Sequence, residues 1–545
     1  MHDQRRALGT SAWAAAAVLA LISGCGSCSS SGGADPRAHI PASAETVIEL
    51  SDVAKLPETR ALVEARLSKI IPAEDIVQAQ AELQRMLGFD PLTKEGLEAA
   101  GLATSGRVAG SVTETSGLWV IPISDAEKVK KTVIRLAEGR YSVDASEETV
   151  EGVKMTVFGR SFGEETAVVA AYATKGKLAF IGAGSDAKKT VTEAMGLDPK
   201  ASILESASYA GIGEELGEGW LLRAIMPQLG ASVRGQLKAA ASKGKLAVDD
   251  EALSDVKGAA WSLGLTSAGL QLKGRLQIAD ETLAKMKEAF GAKKGLSDGI
   301  RSVDVSGSAL LAYANGDAKK LLDRLAPQGS KARRRLRHML MSAGYQSEDQ
   351  IIDQLTGQLG FTMGVGDLSK VDLRQLMGNP MSAMWTVIAL GSDAPEKLAA
   401  LDEEMQARLS ERGFSVEERE VKDMKITSVV SSQNPEQLLV QSFARPGAVV
   451  FANESAVTEA ILSISPGIDP LKGEPGIYAE LRLAKLAGQL RAFDMSQIPL
   501  MFRSLVDRGL DGLSVFDELS VSVRPAEDGV ALDGLLTLAP LPDEQ

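Results

Sequence analysis

Short stretches of this chain recur in the same order roughly 265 residues apart, and that repetition restricts the possible architectures more than any other feature. Asp52-Val53-Ala54-Lys55-Leu56 returns as Asp317-Ala318-Lys319-Lys320-Leu321, each after an apolar run. Trp119-Val120-Ile121-Pro122-Ile123, followed by Asp125-Ala126-Glu127-Lys128, returns as Trp385-Thr386-Val387-Ile388, followed by Asp393-Ala394-Pro395-Glu396-Lys397. Val153-Lys154-Met155-Thr156 corresponds to Met424-Lys425-Ile426-Thr427, and Val191-Thr192-Glu193-Ala194-Met195 to Val457-Thr458-Glu459-Ala460-Ile461. Gly269-Leu270-Gln271-Leu272-Lys273-Gly274 corresponds to Gly529-Val530-Ala531-Leu532-Asp533-Gly534. Offsets of 260 to 271 leave room for a few loop insertions. A chain of 545 residues exceeds what one core usually organises, so the expectation is an internal duplication, one domain plan used twice.

Each copy reads as α+β. The Trp119 run suits a strand, and a helix from Asp125 places Val129, Val133 and Leu136 on one face. Its counterpart places Leu398, Leu401 and Met405 likewise, with Pro395 in the first turn, where its missing N–H costs nothing. Hairpins follow: Val150 to Phe158, then Thr166 to Thr174, a turn at Lys175-Gly176, and Lys177 to Ile181. The second copy turns at Arg445-Pro446-Gly447, a type II pattern. Ser185 and Ser455 are candidate N-caps of a further helix, and each copy closes with a hairpin, Trp261 to Ile278 and Leu519 to Leu538. The predicted fold is two homologous lobes, each a mainly antiparallel sheet with helices packed on one side.

The first residues form an export leader. Arg5 and Arg6 give a positive start, Trp13 to Ile22 an apolar core of ten residues, and Ser23 and Gly24 small positions before Cys25. That core falls short of the ~20 residues that span a bilayer. Ile22-Ser23-Gly24-Cys25 resembles the lipobox of bacterial lipoproteins. The resemblance implies cleavage between Gly24 and Cys25, a diacylglyceryl group on the Cys25 thiol and a further acyl chain, such as palmitate, on the freed amino group. Gly26 stands where an aspartate would resemble an inner-membrane retention signal, which points to the outer membrane and a periplasm-facing body. The stretches Ile40-Pro41-Ala42-Ser43-Ala44-Glu45-Thr46-Val47 and Gly88-Phe89-Asp90-Pro91-Leu92 are similar to uncharacterised families of large bacterial envelope lipoproteins, a likeness that brings no activity with it. The expected organisation is a signal peptide at 1–24, a Ser/Gly-rich tether at 25–43, a first lobe at 44–290, a linker at 291–305 and a second lobe at 306–545. As a flexible coil the tether would hold the body ~25 Å from the lipid.

Composition excludes several functions. The net charge of −13 becomes −14 once the leader removes two arginines and one aspartate, and such a surface repels nucleic acid. Both cysteines, Cys25 and Cys28, lie at the N-terminus, so the body has no intrachain disulfide, thiol nucleophile or cysteine metal ligand. Cys28 is open between a second acylation site and a free thiol. After cleavage only His39 and His338 remain, so no histidine metal cluster is expected. Aromatics make up 4% of the chain, too few for stacked sugar platforms.

Several motifs have a plainer reading. Gly159-Arg160-Ser161-Phe162-Gly163 has the pattern of a serine-hydrolase elbow, but a strand-like run follows where the elbow needs a helix. Gly182-Ala183-Gly184-Ser185-Asp186-Ala187 fits a dinucleotide fingerprint, yet Asp186 would repel a pyrophosphate, so a strand-to-helix turn and no cofactor is expected. Trp119 and Trp385 look equivalent and read as core. Lys331, Arg333, Arg334, Arg335, Arg337 and His338 form a dense cationic patch, in which Arg333, Arg334 and Arg337 share one helix side and could meet anionic lipid headgroups or an acidic partner. Carboxylate pairs such as Glu147-Glu148 and Asp402-Glu403-Glu404 lack calcium-loop spacing.

The functional expectation is a non-catalytic, lipid-anchored protein that binds or organises an envelope protein or lipid, with the membrane as partner through its N-terminal acyl groups. The alternatives are a carrier holding a lipid or other apolar ligand between sheet and helices of each lobe, and a hydrolase with a serine or carboxylate pair in a cleft.

Overall fold

The structure, a computed structural model, describes residues 35–538 apart from short internal segments, the longest being 65–72, 236–254, 369–382 and 493–499. Gly24, Cys25 and Cys28 lie outside the described residues. The chain is a mixed α+β protein with 34% helix and 40% strand, and it divides into two compact units, one ending at Ala279 and the other beginning at Asp280.

In the first unit the strands are β1 (Thr46–Leu50), β2 (Val108–Val112), β3 (Ser116–Pro122), β4 (Asp144–Val150), β5 (Val153–Phe162), β6 (Glu165–Lys175), β7 (Leu178–Gly184), β8 (Leu222–Met226), β9 (Val256–Thr266) and β10 (Gly269–Ile278). They pair antiparallel in the order β4-β5-β6-β7-β3-β2-β1-β8-β9-β10. The second unit contains β11 (Leu310–Asn315), β12 (Leu355–Val365), β13 (Met384–Ser392), β14 (Phe414–Val421), β15 (Met424–Ser431), β16 (Leu438–Arg445), β17 (Ala448–Ala452), β18 (Gly476–Arg482), β19 (Phe516–Pro525) and β20 (Gly529–Leu538). Their order, again antiparallel, is β14-β15-β16-β17-β13-β12-β11-β18-β19-β20. Strand for strand, the two units have the same connectivity.

Helices cover both faces of the sheet, not one. In the first unit α1 (Ala73–Leu87), α2 (Lys94–Ala99) and α3 (Ala126–Tyr141) bury Leu87, Leu97 and Val129 on one side, with Trp119, Ile121 and Tyr172. On the other side α4 (Ala187–Gly196) and α5 (Ala207–Glu215) bury Val191 and Ile212 with Leu118, Val120 and Phe180. Consequently β3 is buried at every position from Ser116 to Ile121. Its unbroken apolar run Leu118 to Ile121 suits a strand covered twice, where a one-sided strand would alternate. In the second unit α6 (Pro395–Ala399) and α7 (Glu403–Glu411) replace the single helix expected there, and Leu398 and Met405 are buried while Leu401 lies outside the described residues. Pro395 does sit in the first turn of α6. α8 (Ser455–Ser463) packs Val457 and Ile461 against the opposite face.

Other expectations shift for local reasons. Within the segment expected as linker, Leu296, Ile300, Val303 and Val305 are core residues of the second unit. Within the stretch expected as tether, Ile40 is fully buried and Pro41 bridges to Ser202, so residues from Ile40 onward pack with the first unit. Neither Ser185 nor Ser455 is an N-cap; Asp186 and Glu454 hold those places, and neither side chain makes a capping bond to its helix. The hairpin turns fall where expected, with Gly176 and Gly447 at φ +61° and +75°.

Trp119 and Trp385 are both buried, but they are not equivalent. At the turns, Pro122 pairs with Leu178 and Gly391 pairs with Ala448, so the residue matching Trp119 is Ile388. A three-residue offset turns a side chain to the opposite sheet face. Trp119 therefore packs with Leu87 and Leu97, whereas Trp385 packs with the core that includes Val457 and Ile461.

Candidate binding surfaces

The cationic patch predicted at Arg333, Arg334 and Arg337 divides in the structure. The Arg333 side chain is only 4% exposed and donates from Nε and Nη2 to Glu348 and from Nη1 to Asp323, each bond 2.9 Å. It is an internal ion pair, not a headgroup contact. The partners lie 10 and 15 positions away in the chain, so no local pattern announces them. Arg337 reaches Glu348 at 3.4 Å, and Arg334 and Arg337 are exposed. Hydrogen bonding from Arg333 holds the Glu348 carboxyl down at about 2. Lys331 and Arg335 lie outside the described residues.

The tempting motifs resolve into architecture. Gly159 to Phe162 belong to β5, paired with β6, and Gly163 is outside the described residues. Gly182 and Gly184 end β7, whose neighbours β3 and β6 are both antiparallel to it. A Cβ on Gly182 would lie 2.6 Å from the Ala187 carbonyl oxygen, so this glycine lets α4 close onto the strand. His39 places Nδ1 2.9 Å from the Ala194 carbonyl oxygen and meets Phe180 edge-on. Among the described residues no group of His, Cys, Asp or Glu is placed to hold a metal ion.

Three features escape sequence reading. The first is a buried ionic cluster in the first unit. Glu49 on β1 has a fully buried carboxylate that accepts bonds from Arg223 on β8 (Nε 3.0 Å, Nη2 3.3 Å) and from the Tyr209 hydroxyl. Arg107 and Arg37 approach it at 3.6 and 3.9 Å, and Arg37 is also held by Asp35 at 2.6 Å. The Arg223 guanidinium stacks 4.3 Å from the centre of the Trp220 ring. Burial, then the Glu49 charge, pushes the Tyr209 hydroxyl up to about 12. The second unit has a related arrangement on β18, where Glu480 accepts from Tyr478 (2.8 Å) and Arg482, and Arg482 reaches Asp304 at 2.7 Å. In both, the carboxylate is met by more than one donor, as buried charges require, while Arg107 Nε in the first cluster is buried with no hydrogen-bond partner.

The second feature is an open apolar sheet face. Across β8, β9 and β10, Leu222, Leu263 and Leu272 are directly opposite one another, as are Leu265 and Leu270. Trp261 and Leu272 on this face remain 37% and 41% exposed. Along its middle the reverse face of β9 carries small residues, Gly258, Ala260, Ser262 and Gly264, where α5 presses close: Ile212 Cδ1 would be 2.8 Å from a Cβ on Gly258. Large residues thus face outward. The second unit repeats the arrangement, with rows Leu481, Leu519, Leu536 and Ile477, Val523, Leu532, in which Leu519 and Ile477 are 37% and 43% exposed. A sequence signal existed in the small residues alternating with Trp261, Leu263 and Leu265, but it marks alternation without saying which face stays open.

The third feature is a cleft of about 350 Å³ lined by Gly88, Phe89, Ala99, Ala100, Thr132 and three cations, Lys128, Lys131 and Arg135. Arg135 donates to the Leu87 carbonyl (3.3 Å) and Thr132 to the Ala100 carbonyl (3.4 Å), closing the C-terminal ends of α1 and α2.

No family model matches the chain, and no curated protein matches it. Among solved structures, two crystal forms of the Treponema protein TP0453 show a distant similarity. Identities are 11% and 10%, with TM-scores of 0.26 and 0.24; each covers 48% of this chain and 90% or 88% of that chain. A likeness this remote leaves the functional reading to the geometry. Among the described residues no helix is long and apolar enough to cross a membrane.

Proposed function

We propose that this chain is a lipid-anchored envelope protein that acts by binding, without catalysis, and that the open apolar faces of β8–β10 and β18–β20 hold the acyl chains of an envelope lipid. The observation that carries this reading is the row of half-exposed large side chains on each face, Trp261, Leu272, Leu519 and Ile477. Contiguous exposed apolar surface is rare on soluble monomers and marks interaction sites. Acyl chains suit it because, apart from the indole N–H of Trp261, the side chains of these rows carry no hydrogen-bonding group. The lipobox at Ile22 to Cys25 supplies the anchor, and several acyl chains make attachment stable, each buried methylene contributing ~0.8 kcal/mol. Anchoring keeps the body near the leaflet from which such a lipid comes. The outer membrane and a periplasm-facing body follow from Gly26 in the same reading. The shared strand order supports descent of the two units by duplication, and so a pair of binding faces in one chain.

A carrier with an enclosed apolar cavity in each lobe is less well supported, since the cleft described above is lined by cations and the apolar residues between sheet and helices are packed as core.

The test uses the full chain extracted from its own membrane in non-ionic detergent. Native mass spectrometry should show acyl mass on Cys25 and retained lipid, and a photo-activatable acyl lipid should label peptides spanning 256–278 and 516–538. An unmodified N-terminus would end the anchoring claim. Labelling scattered evenly over the chain would end the claim for the sheet faces.

A further inference from the structure

We propose that the basic cleft of the first unit is a binding site for a phosphate-bearing headgroup or metabolite. Lys128, Lys131 and Arg135 stand at i, i+3 and i+7 on α3, so one helix face delivers all three charges to the same cleft. Among the described residues no carboxylate lines it, although the whole chain carries a net charge of −13. Several other lysines of the first unit find acids: Lys130 and Lys154 pair with Glu147, Lys188 with Glu148 and Lys189 with Glu193. Among the described residues neither Lys128 nor Lys131 has such a partner. Arg135 uses one donor on the Leu87 carbonyl and keeps others for a ligand in its planar fork.

Three cations around one cleft favour a group carrying more than one anionic oxygen, which phosphate supplies. Phe89, Ala99 and Ala100 give the remaining wall an apolar character that suits a small carbon skeleton beside the phosphate. The volume of about 350 Å³ lies at the lower end of ligand sites, roughly 300–1,000 Å³. A glycerophosphate headgroup fits this description, whether free or as part of a lipid.

Phosphorus NMR of the full chain in non-ionic micelles tests the site with three probes: inorganic phosphate, glycerol 3-phosphate, and phosphatidylglycerol doped into the micelle. Saturable broadening is expected for glycerol 3-phosphate or phosphatidylglycerol, and affinity should fall at least tenfold in the double variant Lys128→Gln/Lys131→Gln. The charge-matched control Lys154→Gln/Lys189→Gln, also at exposed positions, should bind as the parent does. Binding of phosphatidylglycerol alone assigns the site to a lipid headgroup, and binding of the soluble probes alone assigns it to a free phosphate compound. Absence of saturable binding by all three probes, or equal losses in both double variants, overturns the proposal. Circular dichroism of both double variants confirms that each keeps its fold.

Discussion

Trp119 lies flat against Gly110, its direct cross-strand neighbour, so closely that a Cβ on Gly110 would fall 2.5 Å from the indole ring. The second unit repeats the device with other coordinates in the sheet, since Gly364 is the direct neighbour of Trp385 and is likewise covered by its ring. Each large ring in a doubly covered sheet needs a neighbour without a side chain. Gly110→Ala should overpack this contact and lower unfolding stability by about 1–3 kcal/mol, measured by chemical denaturation. An unchanged midpoint would show that the ring is free to move aside.

Glu49 should be among the most costly residues to remove. Glu49→Ala leaves Arg223 and Tyr209 buried without their acceptor, and a loss of about 3–5 kcal/mol is expected. The double change Glu49→Leu/Arg223→Met removes both charges and should recover much of that loss. Denaturation of the two variants side by side separates an unpaired-charge effect from simple loss of packing.

Glu348 makes stability depend on acidity. Its folded-state carboxyl sits at about 2, below the ordinary 4.5, so its contribution is present above about pH 4.5 and disappears as pH falls toward 2. Thermal melts of the parent should show this loss over that window. In Glu348→Gln that part of the pH dependence should be absent, and the variant should be less stable at pH 7.

The tight turns of two corresponding hairpins differ in quality. Glu151-Gly152 joins β4 to β5 with φ of +50° and +81°, and Lys422-Asp423 joins β14 to β15 with φ of +52° and +61°. Both suit a type I′ turn, but only the first has glycine at the second position. Asp423→Gly should therefore stabilise the protein by about 0.5–1 kcal/mol, seen as a raised melting temperature.

On the open face, Trp261→Ser should leave the melting temperature nearly unchanged, because the residue is already 37% exposed, while reducing photo-labelling of 256–278 by the acyl lipid. A large drop in stability would instead identify Trp261 as a structural residue.

Sequence alone was enough to read the α+β class, the hairpins at Lys175-Gly176 and Pro446-Gly447 and the buried face of α3, because each depends on neighbours within a few positions. Strand period, helix period and turn chemistry are local properties. Sheet register, by contrast, is not local: Trp119 and Trp385 match in the chain, but the pairing of Gly391 with Ala448 puts Ile388 in the place of Trp119. Likewise the pairing of Arg333 with Glu348, the three arginines around Glu49, the doubly covered sheet and the cations of the basic cleft bring together residues far apart in the chain or on separate elements. Such features are settled by which surfaces come to rest against each other, since burial, charge pairing and access to solvent belong to the packed molecule and not to any one stretch of it.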